Sequence, residues 1–264
     1  MTLINFYTPL KSLLKNLFKA KPEPIAMLPA SLPDNHRLYC IGDIHGRLDL
    51  LKTVHQKIAN DVVDFDGVKI LVYVGDYIDR GMESKGTLDY LLEDPLSDFK
   101  KVYLLGNHEQ VMLQFLLNHD PAIAHDWFKF GGLATLISYG VEVRGIPTTK
   151  EIKRIYSELE QKLPAAHLGF LQNLSLSYEL GDYFFAHAGI KPKVKLHLQR
   201  PEDLLWIREE FLNSPLFHGK VIVHGHTVTA EPECFPNRIG IDTGAYSSGK
   251  LSCVVFEKTS YKFL

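Results

Sequence analysis

Short apolar runs that end in glycine alternate along the chain with segments whose apolar residues recur every three or four positions. Residues 38–41 run into "GDIHG", and behind them Leu48, Leu51, Val54 and Ile58 share one helical side. Residues 70–74 run into "GDYIDRG", and a second helical stretch covers 84–92. Residues 102–105 run into "GNHE". The following "HEQVMLQFLLNH" sets Val111, Met112, Phe115 and Leu116 at helical spacing. This β-α-β-α-β rhythm predicts a layered α/β protein whose first strands are parallel. Residues 120–172 read as mainly helical and carry no dense polar motif. Strand-like runs return at 183–186 before "HAG", 221–223 before "HGHT", 238–241 at "DTG", and 251–256. No internal repeat interrupts the pattern.

The N-terminal stretch follows a different rule. Leu10, Leu13, Leu14, Leu17 and Phe18 form one helical stripe, Thr8 and Pro9 suit a helix start, and Lys11, Lys15 and Lys19 occupy other faces. The lysines make it a poor secretory signal. Such a basic amphipathic helix packs on its own domain, docks on a partner protein, or lies on an anionic membrane surface through residues 8–20. Residues 21–36 carry prolines at 22, 24, 29 and 33 and read as an extended linker. The expected organisation is therefore an N-terminal helix and linker over 1–36 and a compact domain over 37–264.

Composition narrows the partners more than the fold. The 264 residues suffice for a substantial core, and 45% hydrophobic with 23% charged residues is ordinary for a globular protein. A net charge of -2 supplies no basic field for nucleic acid. Three separated cysteines, Cys40, Cys234 and Cys253, argue against a disulfide framework and fit a reducing compartment. The expected location is cytoplasmic, with peripheral contact at the inner membrane surface open to the N-terminal helix. No apolar stretch approaches the roughly 20 residues of a membrane span.

The strand ends carry the chemistry. One such end is explained by a helix cap, with Asn107 capping the helix behind it. Five strand ends with glycine beside Asp, Asn or His are poorly explained that way. In open α/β sheets ligands bind at the carboxyl ends of strands, so Asp43, His45, Asp76, Asp79, Arg80, Asn107, His108, His187 and His226 are expected on one rim. Nitrogen and oxygen donors without a thiolate suit Mn²⁺, Fe or Zn²⁺. Asp43, His45, Asp76, Asn107, His187 and His226 are enough donors for two ions with one bridging carboxylate, the usual equipment for phosphoester hydrolysis. Arg80 and Arg208 offer forked donors for a phosphoryl group. A surface ion pair with Glu209 or Glu210 is the plainer use of Arg208. His108 remains as a proton donor to the leaving oxygen, oriented by Asp79. His224 shares a strand face with His226, but the turn at Gly225 favours His226 alone as a ligand. Asp242 and Tyr246 end a strand on the same rim, as supporting residues, substrate contacts or parts of a turn. Glu109 fits the first turn of a helix and could also support the site. P-loop, GxGxxG and GxSxG patterns are absent.

"GDIHG", "GDYIDRG", "GNHE", "HAG" and "HGHT", in that order over roughly residues 37–264, resemble the phosphoprotein phosphatase family of metallophosphoesterases. "DLLWIREEF" and "IDTGAYSSGKL" are most similar to its bacterial and phage branch. The resemblance implies a calcineurin-like metallophosphoesterase fold, a central β-sandwich flanked by helices with a dinuclear site at the strand ends. It implies that Asp43 and His45 bind the first metal, that Asp76 bridges, and that Asn107, His187 and His226 bind the second. It implies two divalent ions, Mn²⁺ foremost and Fe or Zn²⁺ as alternatives. It further pairs Asp79 with His108 as catalytic residues, with Arg80 and Arg208 on the phosphate.

The resulting expectation is a serine/threonine protein phosphatase, whose partners are phosphoserine and phosphothreonine proteins and whose nucleophile is a water or hydroxide held between the metals. A symmetrical dinucleoside tetraphosphate hydrolase is the nearest enzyme rival, disfavoured by Asp79 in "DRG" and Glu109 in "GNHE". A metal-binding phosphoprotein adaptor without turnover is the rival from another class.

Overall fold

The computed structural model describes residues 29–145 and 147–264. The amphipathic helix expected at 8–20 lies outside the described residues. Alternate side chains of the first strand, β1 (His36–Ile41), serve two different cores. Leu38 and Cys40 point to one, Tyr39 and Ile41 to the other. A strand projects successive side chains to opposite faces, so a strand covered on both faces must be apolar throughout.

From β1 the chain passes through α1 (Leu48–Asp61), β2 (Val68–Tyr73), α2 (Ser84–Leu92) and β3 (Lys100–Tyr103). β1, β2 and β3 are parallel, with Leu38 opposite Ile70 and Val72 opposite Val102. The expected helical stretch is α3 (Asn107–Asn118), α4 (Pro121–Trp127), a kinked turn (Phe128–Gly132), α5 (Leu133–Ser138), α6 (Thr149–Lys162) and α7 (Ala165–Gln172). Then follow β4 (Ser177–Leu180), β5 (Tyr183–Ala186), α8 (Pro201–Trp206), α9 (Glu209–Leu212), β6 (Val221–His224), β7 (Glu233–Cys234) and β8 (Arg238–Gly240). A short α10 (Ala245–Ser248) leads to β9 (Cys253–Glu257) and β10 (Ser260–Phe263).

The strands form two five-stranded sheets, ordered β10-β9-β1-β2-β3 and β4-β5-β6-β8-β7. Leu38, Cys40, Val72 and Val254 of the first pack against Tyr183, Phe185, Val223 and Ile239 of the second. Helices cover the outer face of the first sheet through Leu51, Ile58, Leu88, Phe115 and Trp127. Leu204 and Phe211 cover the outer face of the second. Mixed α/β layers around a central β-sandwich are the expected architecture.

The end of the anticipated linker is packed rather than free. Leu32 belongs to the inter-sheet core, and its N–H donates to the Lys258 carbonyl at 2.8 Å. Ser31 donates to Asp182 Oδ2 from both its N–H and its hydroxyl, each at 2.9 Å. Ser31 and Leu32 thus pack on the domain ahead of the boundary expected at Arg37. A proline-rich segment outside regular secondary structure can still bury one leucine, as Leu32 does.

Candidate active site

Strand ends from both sheets converge where the sandwich opens. Asp43 and His45 follow β1, Asp76, Asp79 and Arg80 follow β2, and Asn107 and His108 open α3 behind β3. His187 follows β5 and His226 follows β6. Apart from the part-buried Arg80, all of these are buried. His45, Asp76, Asp79, Arg80 and His226 have φ between 47° and 72°, a region that non-glycine residues avoid. Such conformations persist only where surrounding bonds over-determine them. The Ile44 and His45 N–H groups both donate to the Asp76 carbonyl, at 3.0 and 2.8 Å, and the His226 N–H donates to Asp43 Oδ2 at 3.0 Å.

Asp76 is the centre of the arrangement. Its Oδ2 lies 3.5 Å from His45 Nε2, 3.5 Å from His187 Nε2 and 3.8 Å from His108 Nε2. Burial alone would raise its carboxyl, yet the surrounding imidazoles, His187 first, hold it below the usual carboxylate range. His45 Nδ1 donates to the Ile78 carbonyl and His187 Nδ1 to the Val74 carbonyl, both at 2.9 Å. Each bond leaves the Nε2 lone pair facing inward, the orientation a metal-ligating imidazole needs. Burial pushes His45 down to about 3 and His226 down to about 2, so both rings are neutral at pH 7.

The donor set fits a cation. Asn107 Oδ1 sits 2.8 Å from His187 Nε2 and 2.9 Å from His226 Nδ1, and the two nitrogens are 3.2 Å apart. The facing lone pairs of Asn107 Oδ1 and His187 Nε2 repel without a proton or a cation between them. Asp76, His187 and His226 offer ligand atoms within 4.8 Å of one another, and so do His45, Asp76 and His108. Asp43 stands beside these groups with its Oδ1 buried and unpartnered, as is Oδ2 of the neighbouring Asp242. Burial and then Asp242 raise the Asp43 carboxyl well above its ordinary value. Backbone approach here is very close, since a Cβ on Gly225 would lie 1.9 Å from Asp43 Oδ1. His224 turns away, bonding the Gly225 carbonyl and packing on Phe211.

His108 and Asp79 form a buried pair, with Nδ1 donating to Oδ2 at 2.7 Å. Burial opposes protonation of this ring, but Asp76 and Asp79 outweigh it and raise the His108 pKa. Arg80 places Nη1 3.0 Å from His45 Nε2 and Nη2 3.1 Å from His108 Nε2. Its guanidinium also stacks 4.7 Å from the Tyr246 ring centre. Arg208 makes no ion pair with Glu209 or Glu210. It donates to the His226 carbonyl at 3.3 Å and to Thr227 Oγ1 at 3.2 Å, which turns it toward the site.

The role of "GNHE" differs from a simple cap. Gly106, not Asn107, occupies the cap position of α3, and the Asn107 side chain points at His187 and His226. Glu109 is fully buried and receives four backbone N–H groups, from Asp76, Tyr77, Ile78 and Gly106 at 2.8–3.1 Å. Burial and the nearby Asp76 push its carboxyl up, while those four donors stabilise the anion. Sequence reasoning missed two further neighbours. Trp127 Nε1 donates to Asp79 Oδ2 at 2.9 Å, and Thr135 Oγ1 to Asp79 Oδ1 at 2.5 Å. Both come from the stretch 120–172, where the only local signal was the paired Gly131 and Gly132 inside a helical pattern.

The family described as calcineurin-like phosphoesterase matches residues 36–244. An asymmetrical bis(5'-nucleosyl)-tetraphosphatase PrpE of Bacillus mycoides is 26% identical over 234 residues, covering 80% of this chain and 87% of that protein. Its counterpart in Anoxybacillus flavithermus is 27% identical, with 81% and 88% covered. Among solved structures, a putative diadenosine tetraphosphatase aligns with a TM-score of 0.55 at 20% identity, over 89% of this chain and 97% of that one. A cold-active protein-tyrosine phosphatase of a psychrophilic Shewanella aligns at 0.53 and 17% identity, over 90% and 82%. These structural likenesses concern the fold.

Proposed function

The chain belongs to the calcineurin-like phosphoesterase family, and on that premise we propose that it is a metal-dependent serine/threonine protein phosphatase. The observation that carries this reading is the buried Asp79–His108 pair at 2.7 Å, with His108 Nε2 turned toward Asp76. A serine or threonine oxygen is a poor leaving group and needs a proton as the bond to phosphorus breaks. A phosphate leaving group needs far less help.

Asp43, His45 and Asp76 would hold one divalent ion, and Asp76, Asn107, His187 and His226 a second. Such ions, Mn²⁺, Fe or Zn²⁺, supply Lewis acidity and an activated water at neutral pH. The protein's own part is to keep the imidazoles neutral and inward. Arg80 and Arg208 orient the phosphoryl oxygens and offset the charge that develops on them. His108 gives its Nε2 proton to the departing oxygen, and Asp79 steadies the imidazolium beforehand.

A second reading is favoured by the relatives named as asymmetrical bis(5'-nucleosyl)-tetraphosphatases. It places a phosphoanhydride rather than a phosphoester in the same site. A panel of phosphoserine and phosphothreonine peptides, run beside diadenosine tetraphosphate with and without Mn²⁺, separates the two. The protein-phosphatase reading expects kcat/KM at least about tenfold higher on the best peptide, roughly 1.4 kcal/mol in barrier. Faster turnover of the dinucleotide would overturn it.

A further inference from the structure

Asp79 is fully buried, and three side-chain donors converge on its carboxylate. His108 Nδ1 and Trp127 Nε1 share Oδ2, at 2.7 and 2.9 Å, while the Thr135 hydroxyl binds Oδ1 at 2.5 Å. Thr135 Oγ1 also accepts the Asp79 N–H at 2.9 Å, so one hydroxyl grips both the backbone and the side chain of the same residue. Ser84 Oγ accepts the same N–H at 3.0 Å. The indole and the hydroxyl come from α4 and α5, on either side of the kink at Phe128–Gly132, where Gly131 leaves the helical region.

The same turn seats Arg80. The Gly131 carbonyl accepts the Arg80 N–H at 3.2 Å. Gly131 has φ 108°, and a Cβ there would lie 2.7 Å from Arg80 Cγ. Asp79 and Arg80 are both left-handed, at φ 72° and 66°. Their backbone does not hold itself in that region. The segment 127–135 helps hold it, together with Ser84, although it contributes nothing to the metal-ligand set.

We propose that Trp127 and Thr135 are positioning residues for the reaction, fixing the Asp79 carboxylate so that His108 presents its proton to the leaving oxygen. The inference rests on the reading of His108 as the acid. Without the indole and hydroxyl, Asp79 keeps its place in the chain but can turn about its last torsion, and the bond to His108 loses its direction. A merely structural role predicts something different: less folded protein, with unchanged selectivity among leaving groups.

The test uses the full chain loaded with Mn²⁺ and compares wild type, Trp127→Phe, Thr135→Val, Thr135→Ser and His108→Asn. For each, metal content is measured along with kcat on a phosphoserine peptide and on p-nitrophenyl phosphate, whose aryl leaving group needs little protonation. Trp127→Phe and Thr135→Val should keep their metal and lose about tenfold or more on the peptide but under about threefold on the aryl ester. Thr135→Ser should return to within about threefold of wild type on both. If His108→Asn shows the selective loss and the Trp127 and Thr135 variants do not, the positioning role is wrong. If His108→Asn itself loses equally on both substrates, the acid assignment fails and this inference fails with it.

Discussion

The Asp76 N–H donates to Glu109 Oε2 across 2.9 Å of buried space, tying the central carboxylate's own backbone to the helix behind β3. The other Glu109 oxygen accepts Tyr77 and Ile78. A single side chain thus fixes three consecutive residues of the turn that begins at Asp76, whose φ of 53° is strained.

Glu109→Gln should therefore weaken the fold and the metal site together. Its amide has one acceptor oxygen and would turn an NH₂ group against two of the four N–H donors. Leaving buried donors unpaired costs about 1–3 kcal/mol each, so a loss of roughly 2–6 kcal/mol is expected in urea unfolding. Metal affinity should fall as well. A variant as stable as wild type would mean the four bonds do not set the turn.

Asp76→Asn and His226→Ala should each lose most bound metal. The first removes the anion shared by His45, His187 and His108, and the second removes one of three donors crowded within 3.2 Å. Elemental analysis after gel filtration reads this directly. Two ions per chain retained in both variants would contradict the ligand set.

Much of this site was legible because its chemistry is local in sequence. Strand ends with glycine beside Asp, Asn or His advertise themselves, and the outward order of the motifs matched their convergence around Asp76. What was not legible depended on distance in the chain. Trp127 and Thr135 meet Asp79 across 48 and 56 positions, inside helices whose apolar pattern reads as plain core. Asn107 could be read two ways from sequence, as a cap or as one of six metal donors, and its side chain faces two imidazoles while Gly106 takes the cap position. The short strands β4, β7 and β10 were missed because two to four half-exposed or exposed residues carry no period. Among the described residues no helix is long and apolar enough to cross a membrane.

Where the chain is cut at the N-terminus should matter within a few residues. Deleting residues 1–28 leaves Ser31 and Leu32 in their contacts and should keep kcat on p-nitrophenyl phosphate within about threefold, under about 1 kcal/mol in barrier. Deleting 1–33 also removes Leu32 from between the sheets and should lower the melting temperature. Equal melting temperatures for the two truncations would show that the segment 29–33 adds nothing.

His55 gives the fold a pH dependence apart from the metals. It is buried between Tyr73 and Tyr90, with Nε2 3.0 Å from the Tyr73 hydroxyl and Nδ1 3.1 Å from that of Tyr90. Burial, with Lys101 adding, lowers its pKa to about 4. The folded ring stays neutral where the unfolded ring, near 6.5, already takes a proton. Stability from this group is complete above about pH 6.5 and is lost as pH falls toward 4, by roughly 3 kcal/mol in all. His55→Phe should cost stability at pH 7.5 and much less at pH 4.5, measured by urea unfolding. Parallel pH dependences for wild type and variant would place the titration elsewhere.

The central claim is that His108 gives a proton to an alkyl leaving group while the residues around Asp76 hold the metals. The most direct measurement is kcat for His108→Asn on a phosphoserine peptide and on p-nitrophenyl phosphate, with metal content determined on the same samples. Two ions per chain should remain, the peptide rate should fall by about 10²–10⁴-fold, and the aryl ester rate should fall far less. Equal losses on both substrates with the metals retained would contradict the account, because His108 would then serve phosphate ester cleavage in some way other than protonating the oxygen that leaves.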